Sequence, residues 1–148
     1  MKTPFAPFAL GLSLGLSLLR PLPAVAADPC DNFAATGMDA AAATQFKDEL
    51  FAALKQGSAK KVAAMVQYPI RVRVPGKKSP KQFKTARELE RDYDGIFTSA
   101  LVTKILSAPV SDTVCRDQGM GLASGTLWVS TPTGAAAKGG PKVVAINP

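Results

Sequence analysis

The sequence predicts an α+β domain in which helices pack on one face of a curved antiparallel sheet of about four strands. Apolar residues recur at three- and four-residue steps over residues 43–54 and 89–105, the spacing of one helical face. Elsewhere, short runs alternate apolar and polar residues and are separated by glycine or proline. Strands joined by short turns pair antiparallel, and the helices then cover one face of that sheet.

Two helices open the domain. The second follows Ser58 and ends near Gln67, because Pro69 disfavours helical geometry in the residue before it. The first ends at Gly57, a C-cap candidate, and its predicted buried face has five members: Ala43, Phe46, Leu50, Ala53 and Leu54.

A strand over residues 70–74 follows, with one buried face and one wet, basic face, and residues 77–84 are predicted to be a polar loop. Thr85 starts a long helix that runs to Ile105, since Glu88 three residues on completes a capping box. Gly95 is a weak point where this helix can kink or split into two.

Strand-like segments make up most of the C-terminal part. Residues 123–125 form a turn in which glycine supplies backbone angles that other residues resist. Residues 132–141 are rich in glycine and alanine and are predicted to be a loop. The candidate strands are 113–116, 120–122, 126–130 and 142–147.

The first 27 residues have the parts of a secretory signal peptide: Lys2, an apolar run over 5–19, and a small-residue site ending at Ala26 or Ala27. The apolar run is shorter than the roughly 20 residues that span a bilayer, so a retained membrane anchor is the less favoured alternative. Cleavage after Ala27 leaves residues 28–148 as a single domain with no transmembrane anchor. The expected location is periplasmic or secreted.

Cys30 and Cys115 are the two cysteines of the chain. In an exported protein such a pair is expected to form a disulfide, here closing a loop of 86 residues. Two reduced, buried thiols are the alternative.

Four segments carry a resemblance to known proteins: Tyr68-Pro69-Ile70-Arg71-Val72, Tyr93-Asp94-Gly95-Ile96-Phe97-Thr98, Gln118-Gly119-Met120-Gly121 and Gly125-Thr126-Leu127-Trp128. They resemble segments of small exported bacterial proteins in the nuclear transport factor 2-like (cystatin-like cone) superfamily. The similarity covers about residues 41–147 and implies a curved sheet wrapped around a long helix. The superfamily includes isomerases, dehydratases, binding modules and scaffolds, and its enzymes often place an Asp or His in the cone.

The chain contains no histidine, which removes the commonest general base and the commonest metal ligand. We therefore expect no metal and no cofactor. Asp92 and Asp94 flank Tyr93 and could supply a base and a proton donor if an apolar cone raised the pKa of one carboxyl group. The simpler interpretation places both carboxylates in solvent and Tyr93 on the apolar face of the helix.

Residues 71–87 hold seven basic residues and no acidic one. This surface could attract an anionic envelope polymer or an acidic protein, or it could be a solvated face that keeps the protein soluble. Nucleic acid is not expected, because Phe83 is the one aromatic residue of the stretch and base stacking needs more, and because the expected compartment holds little nucleic acid. The cations are Arg71, Arg73, Lys77, Lys78, Lys81, Lys84 and Arg87.

Trp128 lies between Leu127 and Val129 in a predicted strand. If these neighbours face the helices, Trp128 faces away from them and is available to a ligand; otherwise it belongs to the core. With Tyr93 and Asp94 it forms the candidate pocket.

These observations favour an exported, non-catalytic binding or protein-interaction domain. Two alternatives are a small-molecule enzyme or binder that uses Asp92 or Asp94 in the cone interior, and an inhibitor or immunity-type partner of a secreted enzyme.

Overall fold

A computed structural model describes Cys30, residues 33–132 and residues 139–148. The predicted signal peptide over residues 1–27 and residues 133–138 of the predicted loop lie outside the described residues. Helices and strands follow one another in the order α1 (Ala40–Lys55), α2 (Ala59–Ala64), β1 (Ile70–Val72), β2 (Lys81–Phe83), α3 (Ala86–Arg91), α4 (Tyr93–Ile96), α5 (Ser99–Ser107), β3 (Val114–Arg116), β4 (Gly119–Leu122), β5 (Leu127–Ser130) and β6 (Lys142–Ile146).

The predicted α+β class is confirmed. Strands β3, β4, β5 and β6 form an antiparallel sheet in chain order, and the sheet is not closed. The outer edge of β6 meets the segment that follows α2. There the Gln67 N–H donates to the Val143 carbonyl (2.9 Å), and the Val143 N–H donates to the Met65 carbonyl (3.0 Å).

The strand predicted over residues 70–74 does not join this sheet. Its residues Ile70–Val72 pair with Lys81–Phe83 in a separate antiparallel hairpin. The prediction that residues 77–84 are all loop is therefore wrong. Phe83 is fully buried opposite Ile70, and a single apolar residue among lysines gives no alternation from which a strand could be predicted.

The long helix predicted from Thr85 to Ile105 is in fact three short helices, α3, α4 and α5. The Thr85 side chain caps the first of them, as predicted, by accepting from the Glu88 N–H (3.3 Å). The helical path ends at Phe97, whose ψ of 62° is not helical. Thr98 then caps α5 by accepting from the Leu101 N–H (3.3 Å), so a second capping residue, not Gly95, determines where α5 begins.

The core lies between the helices and one face of the four-stranded sheet. All five apolar residues predicted for the face of α1 are buried. Large side chains that are almost completely buried come from the helices, the hairpin and the sheet: Leu50, Phe83, Leu89, Ile96, Ile105, Met120, Leu122 and Leu127.

The predicted disulfide between Cys30 and Cys115 is present, with the two Cα atoms 5.6 Å apart. It ties the segment before α1 to β3. A disulfide is compatible with an oxidising, extracytoplasmic compartment.

Candidate functional site

The β1–β2 hairpin presents two arginines on its outward face. Burial alternates along the first strand, so that Ile70 and Val72 face the core while Arg71 and Arg73 are exposed. Arg71 lies opposite Gln82 in the register, and this partner is also exposed. The face predicted from the alternating sequence is therefore formed by Arg71 and Arg73 together.

Lys77 and Lys78 lie in the turn that follows. The Lys77 N–H donates to the Val74 carbonyl (3.0 Å), which closes a tight bend through Gly76. Both lysine side chains are exposed. The bend therefore places two further cations at the end of the hairpin that bears Arg73.

Lys81 belongs to the other side of the hairpin. It lies opposite Val72, and its ammonium group forms an ion pair with Asp92 and sits 5.2 Å from the centre of the Phe83 ring. Because residues opposite each other in a strand pair project to the same face, Lys81 projects away from the Arg71 side. Its charge is also compensated by a carboxylate.

The remaining cations of the hairpin have no such compensation. Across the described ranges, ion pairs within 4 Å join only Lys47 to Asp48 and Lys81 to Asp92. Arg71, Arg73, Lys77 and Lys78 thus form a positively charged surface, which we call the basic face. Lys84 and Arg87 are exposed beyond it, near Glu88, whose carboxylate accepts a hydrogen bond from the Lys84 backbone N–H (2.6 Å).

Tyr93 and Asp94 line a groove of about 450 Å³ between the C-terminal end of α1 and helices α4 and α5. The Tyr93 ring stacks on Phe97 with ring centres 5.0 Å apart. Its hydroxyl is buried without a hydrogen-bond partner among the described residues. Burial, and secondarily the charge of Asp94, raises the pKa of Tyr93 above its usual value, so this hydroxyl is a proton donor at neutral pH.

The two aspartates beside Tyr93 diverge. Asp92 turns towards the hairpin and pairs with Lys81, whereas Asp94 is exposed at the rim of the groove. Apart from Tyr93, the buried residues with a polar side chain in the described part of the chain are Thr36 and Thr126, and each donates its hydroxyl hydrogen to a backbone carbonyl. Neither aspartate therefore lies in the apolar interior.

Trp128 lies on the face of the sheet that is turned away from the helices. Leu127 and Val129 are buried in the core, and Trp128 between them is half-buried. It lines a groove of about 290 Å³ with Gln118, Val144, Ala145 and Asn147. The structure thus brings Tyr93 and Asp94 together but places Trp128 at a separate site on the other side of the sheet.

Two adjoining grooves along α1 were not predicted from the sequence. They have volumes of about 410 and 320 Å³ and share Glu49 and Met65. The sequence offers one indication of these grooves, Met65. It continues the apolar side of α2, but in the structure it is half-buried and lines both grooves. Their walls combine several alanines with the charged residues Glu49, Lys61 and Lys142.

In residues 30, 33–132 and 139–148, no helix is both long and apolar enough to cross a bilayer. The same residues hold no group of three or more His, Cys, Asp or Glu side chains placed to bind a metal ion. Comparisons of the chain with protein-family models, with curated proteins and with solved structures give no match. The resemblance to the nuclear transport factor 2-like superfamily remains a prediction from the sequence.

Proposed function

We propose that this protein is an exported, non-catalytic binding domain whose basic face recognises an anionic polymer of the cell envelope. One observation carries the proposal: four exposed cations lie together on the hairpin, and no described carboxylate lies within ion-pair distance of any of them. Export itself is inferred from the signal-like residues 1–27 and supported by the disulfide.

The geometry of the basic face favours a ligand with repeated negative charges. Arg71 and Arg73 are two positions apart on an extended chain, which separates their Cα atoms by about 7 Å. A guanidinium group binds phosphate or carboxylate through two parallel hydrogen bonds, whereas a lysine acts as a point charge. Two guanidinium groups followed by two flexible ammonium groups can contact several negative charges at once. This arrangement suits a linear polyanion or an anionic lipid surface better than a single small anion.

The same face is a poor platform for nucleic acid. Recognition of single strands depends on exposed aromatic rings that stack on bases, and Phe83, the aromatic residue of the hairpin, is fully buried. Electrostatic attraction to phosphate, without base stacking, is what these side chains offer.

The test measures binding to vesicles of phosphatidylglycerol and to purified wall teichoic acid, with phosphatidylcholine vesicles as the uncharged comparison. Wild-type protein should bind both anionic probes, and affinity should fall as salt rises, because the Debye length shrinks from about 10 Å at 0.1 M to about 3 Å at 1 M. Each cation near an anionic membrane contributes about 1 kcal/mol. Replacing Arg71, Arg73, Lys77 and Lys78 by glutamine should therefore weaken vesicle binding by roughly a thousandfold.

A matched control separates the basic face from net charge. Lys55, Lys60, Lys61 and Lys104 are exposed cations on the helices, and changing all four to glutamine removes the same charge. This control variant should keep most of the affinity. Equal losses of affinity in the two variants, or binding that does not depend on salt, would contradict the proposal. The basic face would then serve only to keep the protein soluble.

A small-molecule binder is the second candidate, and the Tyr93 hydroxyl favours it. Tyr93 lines the groove and its buried hydroxyl has no partner among the described residues, so a ligand acceptor that reached this oxygen would satisfy the donor. Catalysis by Asp92 has less support, because its carboxylate is held by Lys81. Asp94 is exposed and has no apolar enclosure around it.

A further inference from the structure

The four-stranded sheet has a second face, and Trp128 is its centre. Register places Val114 opposite Gly121, Gly121 opposite Trp128, and Trp128 opposite Ala145. This row projects away from the helices, since the neighbours of Trp128 in the strand, Leu127 and Val129, are buried in the core. Apart from the indole, the row carries small or medium-sized side chains.

Two glycines, Gly121 and Gly125, leave the space that the indole ring of Trp128 occupies. A Cβ added at Gly121 would lie 3.2 Å from two carbons of the indole, and one at Gly125 would lie 3.1 Å from the indole nitrogen. Both distances are tighter than ordinary contacts, so the ring occupies space that side chains at these positions would take. The indole is therefore packed against the sheet on this side and remains partly exposed at the groove.

The groove beside the ring is neutral and carries hydrogen-bonding groups at its edge. Its lining contains two amide side chains, Gln118 and Asn147, and no charged residue. The Asn147 amide nitrogen donates to the Gly125 carbonyl (2.9 Å), which leaves the amide oxygen as an acceptor. Neither the Gln118 amide nor the indole N–H has a partner among the described residues.

We infer that this groove binds a neutral sugar ring of an oligosaccharide, stacked on Trp128. A pyranose ring has an apolar C–H face that matches the indole, and its edge carries hydroxyls that both donate and accept, as amide groups do. The volume of about 290 Å³ lies at the lower limit for ligand pockets and suits one ring. A flat aromatic ligand would need a more enclosed apolar pocket than this open groove, which has amides at its edge.

Trp128 is the only tryptophan of the chain, so its fluorescence reports directly on this site. The probes are cellohexaose and the tetramer of N-acetylglucosamine. At least one of them should shift the emission to shorter wavelength in a saturable way, and added salt should not weaken the effect because neither ligand nor groove is charged. This salt response is opposite to that expected of the basic face, so the two proposals fail independently.

Variants assign the binding to the groove, with affinities measured by calorimetry and folding checked by circular dichroism. Trp128→Ala should weaken binding about tenfold or more, and Trp128→Phe should retain part of it because a smaller ring still stacks. Gln118→Ala breaks no described hydrogen bond and should weaken binding several-fold. Val110→Ala, at a 59% exposed apolar residue outside the groove, should leave the affinity unchanged.

Three results would overturn the inference. One is an emission spectrum that neither neutral sugar changes at millimolar concentration. Another is a response confined to anionic polymers and abolished by salt, which would assign the effect to the hairpin. The third is unchanged affinity in folded Trp128→Phe and Gln118→Ala variants together.

Discussion

Removing the Cys30–Cys115 disulfide should lower the free energy of unfolding by roughly 4–5 kcal/mol. The two cysteines are 85 positions apart in the chain. In the chain-entropy model the stabilisation grows with the logarithm of the closed loop, and for a loop of this size it reaches that value at 25 °C. Cys30 is also 6% exposed and belongs to the core cluster, so the loss includes some packing.

Urea denaturation is the measurement, with oxidised wild type, reduced wild type and the Cys30→Ala/Cys115→Ala double variant compared. The m-value should rise when the cross-link is absent, because the unfolded chain then exposes more surface. Cys115→Ala alone is the control for a free thiol, since it removes the bond but leaves Cys30 reduced. A reduced protein with the same midpoint and m-value as the oxidised protein, with both thiols verified by mass, would refute the entropic explanation.

Three single changes test smaller features. Gly119→Ala should cost more than about 2 kcal/mol in urea denaturation, because φ is +122° and a Cβ would collide with the Val129 carbonyl oxygen; unchanged stability would show that β4 adjusts freely. Tyr93→Phe should raise stability by about 1 kcal/mol by removing an unpartnered hydroxyl, whereas Tyr68→Phe should lower it by about 1 kcal/mol by removing the hydrogen bond to the Ala63 carbonyl (2.8 Å); the opposite ranking would contradict the hydrogen-bond assignment. Burial raises the pKa of Tyr68 from 10.0 to about 12, so the folded state holds this proton more tightly than the unfolded state does. The contribution of Tyr68 to stability should therefore be fully present below pH 10 and be lost as the pH rises through 12. Over this range the urea midpoint should fall less steeply with pH for Tyr68→Phe than for wild type. Equal slopes would exclude Tyr68 as a source of the decline.

Helical periodicity and strand alternation predicted the helices and strands whose own residues supply a buried face. The face of α1 and the alternation of β1 were correct because each burial pattern is local to the segment. Strand β2 was missed because its burial depends on one residue, Phe83, whose partner Ile70 is distant in sequence. Pairing of this kind is a tertiary property that a lysine-rich segment does not indicate.

The candidate site was predicted in part. The sequence identified Arg71 and Arg73 as one face, but it could not show that Lys81 faces the other way, because that depends on the register of the hairpin. Trp128 was placed with Tyr93 and Asp94, and the structure puts them in two separate grooves. Its alternation with Leu127 and Val129 was the available signal, and the glycine at position 121 opposite it would have strengthened that interpretation.

The bridge between β6 and the segment after α2 has a consequence for how the chain matures. An edge strand with unpaired N–H and C=O groups is a template for pairing with other molecules, and here residues 65–67 cover part of that edge. The Lys142 ammonium group also donates to the Ala64 carbonyl, across a separation of 78 positions. During synthesis residues 65–67 emerge well before β6, so they remain without this partner until the last strand arrives. During that interval residues 65–67 are open to pairing with neighbouring molecules.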